Sequence, residues 1–180
     1  PPLVRKGAAL RAVWEGAFGP RRGPSAPDEK SKINFFSFIW CYKSMAKGGL
    51  SNFEILEIVK HLKIPHFRGV FTRDALPEKP FENESGIVNL CTADEAGSYW
   101  VAYFKNGKKR IYFDSFGQIT PIEIQKYLKT PNEFKNDSLV IQRNTDVVQK
   151  LNTSVCGYLC LYVIDNLSKG ASFQTIINSL

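Results

Sequence analysis

The sequence predicts an α+β domain. Three observations carry this. A helix signature begins at Ser51, three strand-like runs follow between Gly86 and Asp114, and an apolar run from Tyr158 to Ile164 lies near the C-terminus. Helices placed before and after a block of consecutive strands, two of them joined by a tight turn, read as a mostly antiparallel sheet with flanking helices.

The elements follow in order. Ser51-Asn-Phe-Glu54 is a capping box, with Ser at the N-cap and Glu at N3. Ile55, Ile58, Val59 and Leu62 then repeat at helical spacing, which predicts a helix over 52–63 that Pro65 ends. Residues 64–86 hold Pro65, Pro77 and Pro80 and read as an ordered loop. Strands are predicted over 86–91, 99–104 and 110–114, the last two joined by Asn106-Gly107, a strong hairpin signal. Thr120-Pro121-Ile-Glu123 opens a helix to about Leu128, with Pro121 at N1 and Glu123 at N3. Residues 138–142 read as a fourth strand. A helix starts near Cys156, and a last one runs from about Ser172 to Asn178.

The chain divides unevenly. Residues 1–32 are rich in Pro, Gly, Ala and Arg without periodicity and read as a disordered tail. Residues 33–41, Ile-Asn-Phe-Phe-Ser-Phe-Ile-Trp-Cys, are abruptly aromatic but fit neither a helix nor a strand. Met45 is the only methionine, and orderly sequence begins just after it. Residues 1–44 are therefore read as an extension and residues 45–180 as one domain.

Composition narrows the class. The chain has 180 residues, 43% of them apolar, enough for one real core. No apolar stretch reaches the roughly 18 residues that a membrane span needs. The net charge is +7, of which +4 falls in residues 1–34. That leaves room for weak attraction to nucleic acid, with a plain solvated surface as the alternative. Cys41, Cys91, Cys156 and Cys160 fit no zinc spacing, so neither metal nor cofactor is expected. Without a secretory segment the expectation is a monomer in a reduced, intracellular setting, cytoplasmic or nuclear.

Cys156 carries the chemistry. In Asn152-Thr-Ser-Val-Cys156-Gly157 it falls at the first turn of the predicted helix, where the dipole and free N–H groups favour thiolate. The alternative is a small buried hydrophobe, the reading given to Cys160. Gln149, seven residues upstream, can donate to an oxyanion. Asp114 ends a strand in Phe113-Asp-Ser-Phe-Gly117, placed either to orient a neighbouring base or to cap its own turn. Together these point to a cysteine peptidase.

The segments Ile87-Val-Asn89-Leu90, Tyr99-Trp100-Val101, Phe113-Asp114-Ser115-Phe116-Gly117, Gln149 and Ser154-Val-Cys156-Gly157 resemble, in that order, the adenovirus endopeptidase family (adenain). They are similar in particular to the adenovirus-like proteases of Polinton/Maverick DNA transposons, over roughly residues 46–180. The resemblance implies the papain-like/adenain-like fold of the ubiquitin-like-protease clan. It implies Cys156 as nucleophile, Asp114 as the orienting acid and Gln149 as oxyanion donor, acting on a peptide or protein substrate such as a capsid or polyprotein precursor. Where the family has its histidine, just before the tryptophan, this chain has Tyr99 followed by Trp100. A phenol with a pKa near 10 is a poor proton acceptor at neutral pH. The resemblance thus implies an impaired enzyme, with a non-catalytic peptide-binding pseudopeptidase and a deubiquitinase- or deSUMOylase-like enzyme as alternatives. Trp100 reads as a packing residue beside the site. Of the two histidines, His61 falls inside the first helix, and His66 falls in a loop left open as a source of the base.

Overall fold

The computed structural model describes residues 48–94, 99–136 and 139–180. The extension expected over 1–44 and the domain boundary at Met45 lie outside the described residues. Helix α1 (Asn52–Leu62) starts on the capping box: Glu54 N–H donates to Ser51 Oγ at 3.3 Å, and Ser51 N–H donates to Glu54 Oε2 at 2.8 Å. Its buried side chains are Ile55, Ile58 and Val59, and Lys63 in the left-handed conformation closes it.

Residues 64–86 are not only a loop, because strand β1 (Phe67–Thr72) lies within them. β1 is an edge strand with every residue half-buried, so it carries no apolar/polar alternation. A register shift between Phe67 and Gly69 blurs the pattern further. Strands β2 (Asn83–Asn89), β3 (Trp100–Asn106) and β4 (Lys109–Phe113) form the antiparallel centre, with Asn106-Gly107 at the turn between the last two. β1 joins β2 in parallel. Strand β5 is only Gln142–Arg143, parallel to β4, shorter and later than the strand expected over 138–142; Val140 there is 83% exposed. The sheet order is β1-β2-β3-β4-β5.

Both faces of the sheet are covered. Ile87, Ala102, Ile111 and Phe113 face α1, α4 (Cys156–Ser168) and α5 (Phe173–Asn178). Val88, Val101, Tyr103 and Tyr112 face α2 (Ile122–Leu128) through Ile124, Tyr127 and Leu128. Neighbouring residues on one strand go to opposite cores, as the period of 2 requires. In α2, Pro121 is the N-cap rather than N1, and no side chain caps the helix. Helix α3 (Pro131–Asn136) was not expected, although Thr130 and Glu133 exchange the bonds of a capping box at its start. No described helix is long and apolar enough to cross a membrane.

Candidate active site

Cys156 is the first residue of α4, and the N-cap before it is Val155, which makes no side-chain cap bond. The first-turn N–H groups are therefore left for other acceptors. The backbone N–H groups of Trp100, Gly157 and Cys156 itself act on the thiol to draw its pKa down. Burial does more. It pushes the thiol above its ordinary value, and the Asp114 charge adds to the rise. The helix terminus alone was expected to favour thiolate; the thiol of Cys156, a residue 6% exposed with no cation beside it among the described residues, stays protonated near neutral pH. Gly157 lets α4 approach this closely. A Cβ there would lie 3.2 Å from both Leu50 Cβ and Trp100 Cδ1. Trp100 holds the wall: its indole N–H donates to Leu50 O at 2.7 Å, and its carbonyl accepts from the Cys160 thiol at 3.3 Å.

Tyr99 enters from just before β3. Its hydroxyl donates to Asp114 Oδ1 at 3.0 Å and lies 2.6 Å from Ser115 Oγ, while its ring stacks on Phe116 at 5.2 Å. Asp114, fully buried at the end of β4, also accepts from Tyr112 hydroxyl at 3.3 Å and from Phe116 N–H at 2.7 Å. Burial pushes the Tyr99 phenol far above its ordinary value, the Ser115 bond opposes this, and the Asp114 charge adds to it. Tyr99 is a protonated phenol whose single proton points to Asp114, with Ser115 Oγ in close contact with the same oxygen. Asp114 thus accepts both from Phe116 N–H within its own turn and from the Tyr99 hydroxyl.

Gln149 is buried behind this pair. Ser115 Oγ–H donates to Gln149 Oε1 at 2.6 Å, and Gln149 Nε2–H donates to Thr153 O, which fixes which end of the amide is nitrogen. An amide nitrogen carries two hydrogens, so one more donor remains on Nε2. The loop is held from below. Val148 and Gln149 N–H both donate to Ser115 O, and Asn144 Nδ2–H donates to Asp114 O at 2.6 Å. Gly117, at φ 67, lets the Asp114 turn sit under this loop, since a Cβ there would fall 2.5 Å from Thr145 O.

A cavity of about 740 Å³ opens over these residues. Tyr99, Gln149 and Cys156 line it, together with Asn89, Trp100 and Phe116; Asp114 stands behind Tyr99 and does not line it. The cavity sits where β1 and β2 end and β3 begins, since Thr72, Asn89 and Trp100 are register partners across the three strands. His66 precedes β1 at the opposite end, six residues from Thr72 and so about 20 Å along the strand direction. His61 is exposed in the last turn of α1, roughly 15 Å along the helix from the cavity-lining Ser51. The chain has no third histidine. His66, left open by the sequence, is thus placed away from Cys156.

Sequence reasoning missed Ser115 as the link between Tyr99 and Gln149; its only signal was adjacency to Asp114. It also undervalued the Trp100 backbone, because a tryptophan signals its ring and not its N–H.

The sheet, its flanking helices and the cysteine at a helix start in a cleft define an α+β cysteine-peptidase fold. By sequence, the chain matches no protein-family model and no curated protein. By structure, it is similar to the ASFV pS273R protease, at a TM-score of 0.50 and 14% identity, over 98% of this chain and 84% of that one. A selenomethionine structure of the same protease gives a TM-score of 0.47 and 16% identity over 73% of this chain, which spans 62% of that structure's length. At this identity the likeness is one of fold.

Proposed function

We propose that the protein is an adenain-like cysteine endopeptidase, acting by thiol acyl transfer on viral or transposon capsid or polyprotein precursors, and that Tyr99 impairs it. The place of Cys156 at an uncapped helix start inside a cleft supports it as nucleophile. Its own N–H and Gln149 Nε2 supply the oxyanion donors, and Asp114 orients the residue at position 99. The observation that carries the impairment is the fate of the Tyr99 hydroxyl, spent on Asp114 and Ser115. A thiol must pass its proton to a base before attack, and the leaving amine must receive one afterwards. A phenol kept protonated by burial does neither at neutral pH.

The test compares wild type, Tyr99→His and Tyr99→His/Cys156→Ala on a peptide containing Gly. Tyr99→His is expected to raise turnover at least about 10²-fold, the lower range for a general base, and Cys156→Ala to abolish the gain. Imidazole is shorter than phenol and would meet Asp114 through a water or a small shift of the carboxylate, so the lower range applies. Robust Cys156-dependent turnover by wild type refutes the impairment. A second reading, a non-catalytic peptide-binding pseudopeptidase, is favoured by one observation: the cavity stays open while Tyr99 is fully hydrogen-bonded below it. A folded Tyr99→His protein without any gain selects that reading.

A further inference from the structure

Ser115 is fully buried and holds Gln149 by backbone and side chain at once. Its carbonyl accepts from Val148 N–H at 2.9 Å and from Gln149 N–H at 3.1 Å. Its hydroxyl lies 2.6 Å from Gln149 Oε1. A carboxamide oxygen has no proton to give, so that bond takes the Ser115 proton. On its other side Ser115 Oγ lies 2.6 Å from the Tyr99 oxygen, which is the competing acceptor. The hydroxyl does not line the cavity, and the roles assigned above leave it without a task.

Its geometry supplies one. A primary amide is planar for the same reason as a peptide bond. Thr153 O takes one Nε2 hydrogen, which leaves the amide plane free to turn about that single bond. The Ser115 bond at Oε1 is the second anchor. Two anchors at opposite ends fix the plane, and with it the direction of the remaining Nε2 hydrogen. Gln149 and Cys156 line the same cavity, so that direction is a property of the site. Without the hydroxyl, Oε1 of a residue only 4% exposed would lose its donor. Turning the amide end for end gives no relief, because Oε1 would then face the Thr153 carbonyl oxygen. The loop does not depend on the hydroxyl. Val148 and Gln149 N–H bond to the Ser115 carbonyl, and Asn144 Nδ2–H holds Asp114 O at 2.6 Å, so removing the hydroxyl frees the amide and not the backbone.

We propose that Ser115 is a positioning residue that aims the second Nε2–H of Gln149 into the cavity, at the oxygen of a carbonyl attacked by Cys156. The proposal rests on the reading of Cys156 as nucleophile. The test measures the affinity of the full chain for a peptide ending in glycinal and for the same peptide ending in the corresponding alcohol. The aldehyde adds the thiol: the sulfur–carbon bond forms, the carbonyl π bond breaks, and the thiol proton ends on the oxygen that Gln149 contacts. No base is consumed, so the wild-type protein serves. The alcohol has no carbonyl to be attacked. Ser115→Ala is expected to weaken the aldehyde about fivefold to tenfold, the range of one hydrogen bond, and to leave the alcohol unchanged. In Gln149→Ala the same substitution should add nothing. Equal aldehyde affinity in wild type and Ser115→Ala overturns the proposal. So does an equal loss for both ligands, or a further loss on Gln149→Ala, since either makes Ser115 a packing residue only. Should Ser115→Ala not fold, nuclear relaxation of the Gln149 side-chain nitrogen in the wild-type chain decides: an order parameter near that of rigid backbone, about 0.85, is expected, and one below about 0.6 overturns it. Cys156→Ala reads the underlying site separately. Aldehyde binding that is absent from wild type or survives Cys156→Ala removes thiol acyl transfer and the proposal with it. Binding lost in Cys156→Ala but indifferent to Ser115→Ala removes the proposal alone.

Discussion

Helices α1 and α4 pack on the same face of the sheet, yet their first turns are built in opposite ways. α1 opens with Ser51 and Glu54 satisfying each other's backbone, and it buries one stripe while Phe53 and Leu56 stay outside. α4 opens on Val155 without a side-chain cap and is buried from Cys156 through Leu167. The free N–H groups of α1 are closed off for stability, whereas those of α4 face a sulfur. A helix start left uncapped at a cavity is the feature that separates a site from a scaffold here, and its cost is carried by the burial of the rest of the helix.

The comparison is broken most easily in the core. Leu161→Ala in α4, at a fully buried position, is expected to cost about 2–5 kcal/mol. Leu56→Ala in α1, 43% exposed, should stay within about 0.5 kcal/mol. Denaturant unfolding measures both. Similar losses at the two positions would mean that α4 is not the central helix. A smaller effect sharpens the same contrast at the helix ends. Ser51→Ala should cost about 1 kcal/mol through the lost cap, read by the same denaturant unfolding.

Much of the scaffold was legible in the sequence because its signals are local. The Ser51/Glu54 box, the Asn106-Gly107 turn and the apolar run after Cys156 each state an element within a few residues. β1 was hidden because an edge strand half-buried at every position shows no period, and β5 was placed too early and too long because two residues of parallel pairing leave no pattern of their own. α3 could have been read, since Thr130 and Glu133 repeat the signal used at Ser51 and Glu54. In the site, Cys156, Gln149 and Asp114 were singled out from the residues themselves, and Tyr99 from the family pattern. That Ser115 joins two of them, and that burial outweighs the helix terminus at the thiol, depends on contacts between distant segments and on solvent exclusion, which no local pattern encodes.

The account turns on a Cys156 thiol that lacks a proton acceptor, and the pH dependence of its alkylation tests this most directly. Because burial raises the thiol above its ordinary value of 9.0, thiolate is scarce at neutral pH and accumulates only as pH rises past that value. The wild-type rate is expected to climb through pH 9 without a plateau. In Tyr99→His an imidazolium beside the sulfur should move the midpoint down by at least about one unit. A wild-type plateau already reached at pH 7 would reveal a preformed thiolate and contradict the account.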